Sequence, residues 1–151
     1  MNVAITPYLL YRDADAAVAW LTRAFGLRRT RDVYRGPDGR INHALLTFGD
    51  ASMMLGCPGP DIENPKSLGH ATHHLYVDVV DVERHYRRAV KAGAVIVEQP
   101  NDRPYGARRY AAEDPEGHRW FFAQDLALKK AAPKRAARSR KPKARTRRKR
   151  A

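Results

Sequence analysis

The chain of 151 residues holds a single cysteine, Cys57, which excludes an intrachain disulfide framework. Nowhere do about 18 apolar residues follow one another, so no segment reads as a membrane-spanning helix. The N-terminal stretch MNVAITPYLLYRD lacks the basic start and long apolar run of a secretory leader, and these absences together predict a cytoplasmic protein. The last 23 residues, 129–151, have neither an acidic nor an aromatic side chain.

That final segment instead carries thirteen Lys or Arg, with Ala, Pro, Ser and Thr making up the rest. Removing its thirteen cations leaves sixteen basic against sixteen acidic residues in 1–128, so the net charge of +13 belongs wholly to the tail. Like charges with almost nothing apolar to bury cannot fold alone, which predicts a disordered tail over 129–151. Such a run suits sequence-independent contact with DNA or RNA phosphates, with a solubilising extension or contact with an anionic membrane surface as alternatives, and the lack of aromatics removes base stacking as a source of specificity. Residues 1–128 are of a length that suits one domain with its own core.

Within 1–128 the same order of elements occurs twice. Val3 to Tyr11 reads as a strand, and Asp13 caps a helix whose Ala17, Trp20, Leu21, Ala24 and Phe25 recur at helical spacing until Gly26. Strands are predicted at 27–35, 41–48 and 51–56, parted by Gly36-Pro37-Asp38-Gly39 and Gly49-Asp50. A linker loop from Pro58 to Gly69 follows. Then Ala71 to Val79 reads as a strand, Asp81 caps a second helix that ends at Gly93, and strands fit 94–98, 107–113 and 118–124. The last of these restarts from the turn in EDPEGHRWFF, where Asp114 caps, Pro115 fixes φ and Gly117 supplies backbone freedom. Two βαβββ units make this an α+β fold.

The opening Asp-Ala-Asp-Ala-Ala-Val-Ala-Trp-Leu-x-x-Ala-Phe-Gly, the paired βαβββ layout and the closing Asp-Pro-Glu-Gly-His-Arg-Trp resemble the vicinal oxygen chelate (VOC) superfamily. Over residues 1 to about 126 the chain is similar to its glyoxalase/bleomycin resistance protein-like, PhnB-type members. The resemblance implies two units forming a curved mixed sheet around a cleft, a homodimer that forms or completes that cleft, and a small organic ligand. In active members it also implies metal ligands on the first and last strand of each unit, and these positions fall here on Thr6, Met54, His74 and Phe121. Only His74 among them binds divalent metals well, because a thioether, a phenyl ring and a lone hydroxyl do not replace imidazoles and carboxylates. A one-residue shift of register improves none of the others.

The resulting expectation is a metal-independent, cofactor-free binding or resistance-type protein. The alternative is an enzyme of the glyoxalase, extradiol dioxygenase or fosfomycin-transferase type with an atypical site. Strand alternation gives the expected cleft wall as Thr6, Tyr8, Leu10, Met54, His74, Tyr76, Arg119 and Phe121, with Arg108 and Arg109 as candidate contacts for an anionic group. No catalytic residue is assigned.

Overall fold

The computed structural model describes residues 3–127. Its first unit runs β1 (Tyr8–Leu10), α1 (Ala14–Ala24), β2 (Arg28–Arg35), β3 (Ile41–Phe48) and β4 (Ala51–Gly56). A short helix α2 (Pro65–Leu68) follows. The second unit runs β5 (His74–Asp78), α3 (Val82–Lys91), β6 (Val95–Asp102), β7 (Ala107–Glu113) and β8 (Arg119–Asp125). Each unit makes its own mixed four-stranded sheet, ordered β1-β4-β3-β2 and β5-β8-β7-β6. In both sheets the first strand pairs in parallel with the last, and the other pairings are antiparallel.

The helix boundaries follow from local chemistry. The Asp13 carboxylate accepts from the Ala16 N–H at 3.0 Å, and Asp81 accepts from Arg84 N–H at 2.9 Å, so each satisfies an otherwise orphaned first-turn donor. Several spans differ from the sequence reading, among them the strand predicted over 71–79, which is confined to His74–Asp78. Only three residues of the first predicted strand pair with β4. Strand β6 continues to Asp102 through two register shifts, carrying Pro100 on the edge of its sheet, where a missing N–H is tolerated. The predicted loop contains α2, where Asn64 caps, Pro65 takes the first helical position and Ser67 closes a capping box. The predicted tail lies outside the described residues.

The two units share one core through their helix-covered faces, which the buried residues of both join. From the first come Leu9, Tyr11, Leu21, Phe25, Leu46 and Leu55, and from the second Val82, Tyr110, Trp120 and Phe122. Arg88 of α3 reaches across to the end of α1, its guanidinium donating to the carbonyls of Thr22 and Arg23 at 2.7 and 2.8 Å. Gly26 makes room for this: at φ +84°, a Cβ there would stand 2.8 Å from the Arg88 guanidinium.

His85 bridges the units beside it. A carbonyl only accepts, so Nε2–H donates to Phe25 O at 2.9 Å, leaving Nδ1 to accept from the Tyr110 hydroxyl at 2.7 Å. Asp81, four residues earlier and within pairing reach on sequence grounds, is engaged as the helix cap instead. Burial lowers the His85 pKa from its ordinary 6.5; the Phe25 hydrogen bond opposes this and the Arg88 charge adds to it. A histidine depressed in the folded state favours folding fully above about pH 6.5, where both states are neutral, and loses that contribution as pH falls through the folded value. Urea unfolding is therefore expected to show a larger loss of stability between about pH 7 and pH 5 in the wild type than in His85→Gln. Equal losses would show that this contact carries no proton linkage.

Candidate functional site

With the helix-covered faces joined in the core, the opposite face of each sheet is left outside. On the first sheet this open face presents Tyr8 and Leu10 from β1, Ser52 and Met54 from β4, His43, Leu45 and Thr47 from β3, and Arg28 and Tyr34 from β2. The register places them in rows: Tyr8 beside Met54 beside Leu45, and Leu10 beside Gly56 beside His43 beside Tyr34. Tyr8 is 45% and Tyr34 64% exposed, which for large aromatics marks an unfilled surface. Burial raises the Tyr8 pKa, so its hydroxyl keeps its proton and remains a donor.

The second sheet's open face is more polar. His74, Tyr76 and Asp78 of β5 run beside Arg119, Phe121 and Ala123 of β8, which in turn face Glu113, Ala111 and Arg109 of β7. The His74 ring meets the Phe121 ring edge-on at 5.0 Å, and the Arg109 guanidinium lies 4.3 Å from the Phe121 centroid. Arg109 also pairs with Glu98 at 3.1 Å, a carboxylate that Arg103 holds as well. Burial works against ionising Glu98, but the hydrogen bonds from Arg103, Arg109 and Asn101 outweigh it and lower the pKa. Tyr76, 52% exposed, hydrogen-bonds Tyr105; burial first and this bond second push its pKa to about 12.

The eight residues expected to form one wall thus lie on two surfaces. Tyr8, Leu10 and Met54 belong to the first open face with Thr6 just before its strand, and His74, Tyr76, Arg119 and Phe121 belong to the second. Within this chain only Thr6 and Tyr76 meet, at a cavity of about 310 Å³ between the units that Leu46, Met53, Leu75 and Trp120 also line. The two arginines considered for an anion part company. Arg109 is on the open face, whereas Arg108 pairs with Glu83 of α3 at 2.6 Å and with Asp102 at 2.8 Å. Sequence reasoning passed over Tyr34, Tyr105 and Glu98, and read His43 as structural, because nothing local marks which strands stand beside one another.

The turn in EDPEGHRWFF lies at the far side of the junction. Asp114 Oδ2 accepts from the Tyr11 hydroxyl at 2.6 Å and from Trp120 Nε1–H at 3.1 Å, while Oδ1 accepts from the backbone N–H groups of Glu116 and His118. Glu116 accepts from the N–H groups of Arg12 and Asp13 and from the Asn64 amide. The turn that closes the second unit is thereby bound to the start of the first.

A model of the glyoxalase/bleomycin resistance protein/dioxygenase superfamily matches residues 4–122. The chain belongs to this superfamily. It is 33% identical over 129 residues to an uncharacterised protein of Mycobacterium bovis, covering 82% of this chain and 84% of that one. Among solved structures it is similar to TioX from Micromonospora sp. ML1, with 37% identity, a TM-score of 0.64 and coverage of 81% and 95%. The fosfomycin resistance protein FosX from Mesorhizobium loti shares the fold at 16% identity and TM-score 0.58, covering 87% of this chain and 99% of its own. The four positions expected from the resemblance to hold metal, Thr6, Met54, His74 and Phe121, carry a hydroxyl, a thioether, an imidazole and a phenyl ring, a set that does not fit a divalent ion. Among the described residues no three His, Cys, Asp or Glu side chains cluster so as to hold one. Among them, too, no helix is long and apolar enough to cross a membrane.

Proposed function

We propose that this superfamily member binds a small, largely aromatic molecule without a metal, as a sequestering or resistance-type protein. The observation that carries this reading is the make-up of the open faces: Tyr8, Leu10, Leu45 and Met54 on one, His74, Tyr76 and Phe121 on the other, with a few directed polar groups between them. Apolar and aromatic walls with sparse, fixed polar atoms suit organic ligands. Because the faces lie on the outside of one chain, a second copy completes the site, setting the first face of one protomer against the second face of its partner.

Light scattering is expected to give a dimer, and 2-ethylnaphthalene, as a planar apolar probe, is expected to raise the melting temperature. Phe121→Ala removes the ring on which both His74 and Arg109 rest and should weaken that probe at least tenfold, about 1.4 kcal/mol. Retention of stoichiometric metal by the purified protein, lost on His74→Ala, would overturn the reading in favour of a metal enzyme.

The thirteen cations of 129–151 supply, in the same proposal, a contact for nucleic-acid phosphates. Affinity for DNA is then expected to fall steeply with salt, by about 0.9 in logarithmic slope for each phosphate neutralised. Undiminished DNA affinity after removal of 129–151 would refute this contact.

A further inference from the structure

Three residues on neighbouring strands of the first open face form a polar device inside an otherwise apolar surround. Gly56 of β4 is the register partner of both Leu10 on β1 and His43 on β3. A Cβ at position 56 would stand 2.5 Å from the Tyr8 hydroxyl oxygen. The bare glycine therefore lets the Tyr8 phenol lie across β4 and reach the His43 ring, with Oη 3.2 Å from Nδ1 and the ring centroids 5.6 Å apart.

The direction of that hydrogen bond follows from acceptor strength. Among the described residues the Tyr8 hydroxyl has no other acceptor, and an imidazole nitrogen accepts better than a phenolic oxygen. Tyr8 therefore donates to Nδ1, which places the ring proton of neutral His43 on Nε2. That N–H has no acceptor among the described residues. Its surround is Tyr34 on one side and Leu45 and Met54 on the other, groups that offer it little.

We propose that His43 Nε2–H, held in this tautomer by Tyr8, is the donor by which the first open face recognises an oxygen acceptor, such as a ketone, quinone or amide carbonyl, on an aromatic ligand. The inference rests on the binding reading above and adds to it the chemical class of ligand and the residue that reads it. His43 is half-buried in the free chain; a bound ligand that covers its Nε2–H but lacks the oxygen leaves the donor without a partner, so discrimination should exceed the gain from the hydrogen bond alone.

The test compares 2-acetylnaphthalene with 2-ethylnaphthalene, probes with the same rings that differ by a carbonyl oxygen, by calorimetry on the full chain. The wild type is expected to prefer the ketone about tenfold, and His43→Phe to abolish the preference. Tyr8→Phe should reduce the preference, because the tautomer is no longer fixed. Nitrogen-15 spectra of the ligand-free protein should place the His43 proton on Nε2, and on both nitrogens in Tyr8→Phe. A wild type that binds the two probes equally, or a His43→Phe that keeps the preference, overturns the inference and leaves the binding reading standing. A proton on Nδ1 overturns it as well. Failure to bind either probe overturns both.

Discussion

Replacing Asp114 with alanine is expected to lower the stability of the folded chain by about 3–5 kcal/mol, measured by urea unfolding at neutral pH. The carboxylate is fully buried and accepts from the Tyr11 hydroxyl, the Trp120 indole, and the backbone N–H groups of Glu116 and His118, with the His118 ring Nδ1 a fifth partner at 3.4 Å. Alanine leaves the first four without their acceptor where water does not readily replace it, and each buried orphan costs about 1–3 kcal/mol. Against a total of about 5–15 kcal/mol for a domain, that loss is a large share.

The two oxygens have different duties, so conservative variants separate them. Asparagine placed with its carbonyl at the Oδ1 position still accepts from the two backbone groups, but its NH₂ then faces Tyr11 and Trp120. Tyr11 can turn its hydroxyl to accept, whereas an indole N–H cannot. Tyr11→Phe removes a single donor. Burial, followed by the Asp114 charge, raises the Tyr11 pKa well above its ordinary value, so the hydroxyl keeps its proton and remains a donor at neutral pH. Alanine at 114 is thus expected to cost more than either asparagine at 114 or phenylalanine at 11. A cost for Asp114→Ala below about 1 kcal/mol would show that the turn does not hold the units together.

Sequence carried the parts of this fold that short-range chemistry decides. Asp13 and Asp81 announce helix starts, Gly26 and Gly93 their ends, and alternation along 74–78 correctly separates Leu75 and Val77 from His74 and Tyr76. What it did not show lies far apart in the chain. Tyr11 and Asp114 are 103 residues apart, His85 and Phe25 60, and Tyr8 and His43 35. Each pairing depends on how whole units or strands are set side by side, and no periodicity within one element encodes that. The candidate wall shows the same division: alternation sorted each sheet's residues onto one face, but one chain's sequence holds no local mark of whether two such faces meet. The helix α2 is a different case, since Asn64-Pro65-Lys66-Ser67 spells a cap and a first turn, and four residues are too few for periodicity to register.

Phe25→Ala is expected to cost about 3–5 kcal/mol and to leave unfolding a single transition. The ring is fully buried at the end of α1, stands 4.7 Å from Phe122 and 5.3 Å from Trp120 of the other unit, and meets Trp20 edge-on at 4.9 Å. It is thus a first-unit side chain packed largely against second-unit rings, and truncating it opens a cavity at the junction. Its carbonyl still accepts from His85 in the variant, so the loss reports packing and not the hydrogen bond. Each unit covers its apolar face with one long helix and the other unit, and a fragment of about 60 residues buries a smaller share of its surface and is only marginally stable alone. Weakening the junction should therefore shift the whole transition instead of splitting it. In a double-mutant cycle with Phe122→Ala the two losses should sum to more than the double variant shows, because the rings are in contact and each truncation removes the same interface. Two resolved transitions, each with about half the denaturant dependence of the wild type, would show that the units fold independently and that the shared core does not bind them into one.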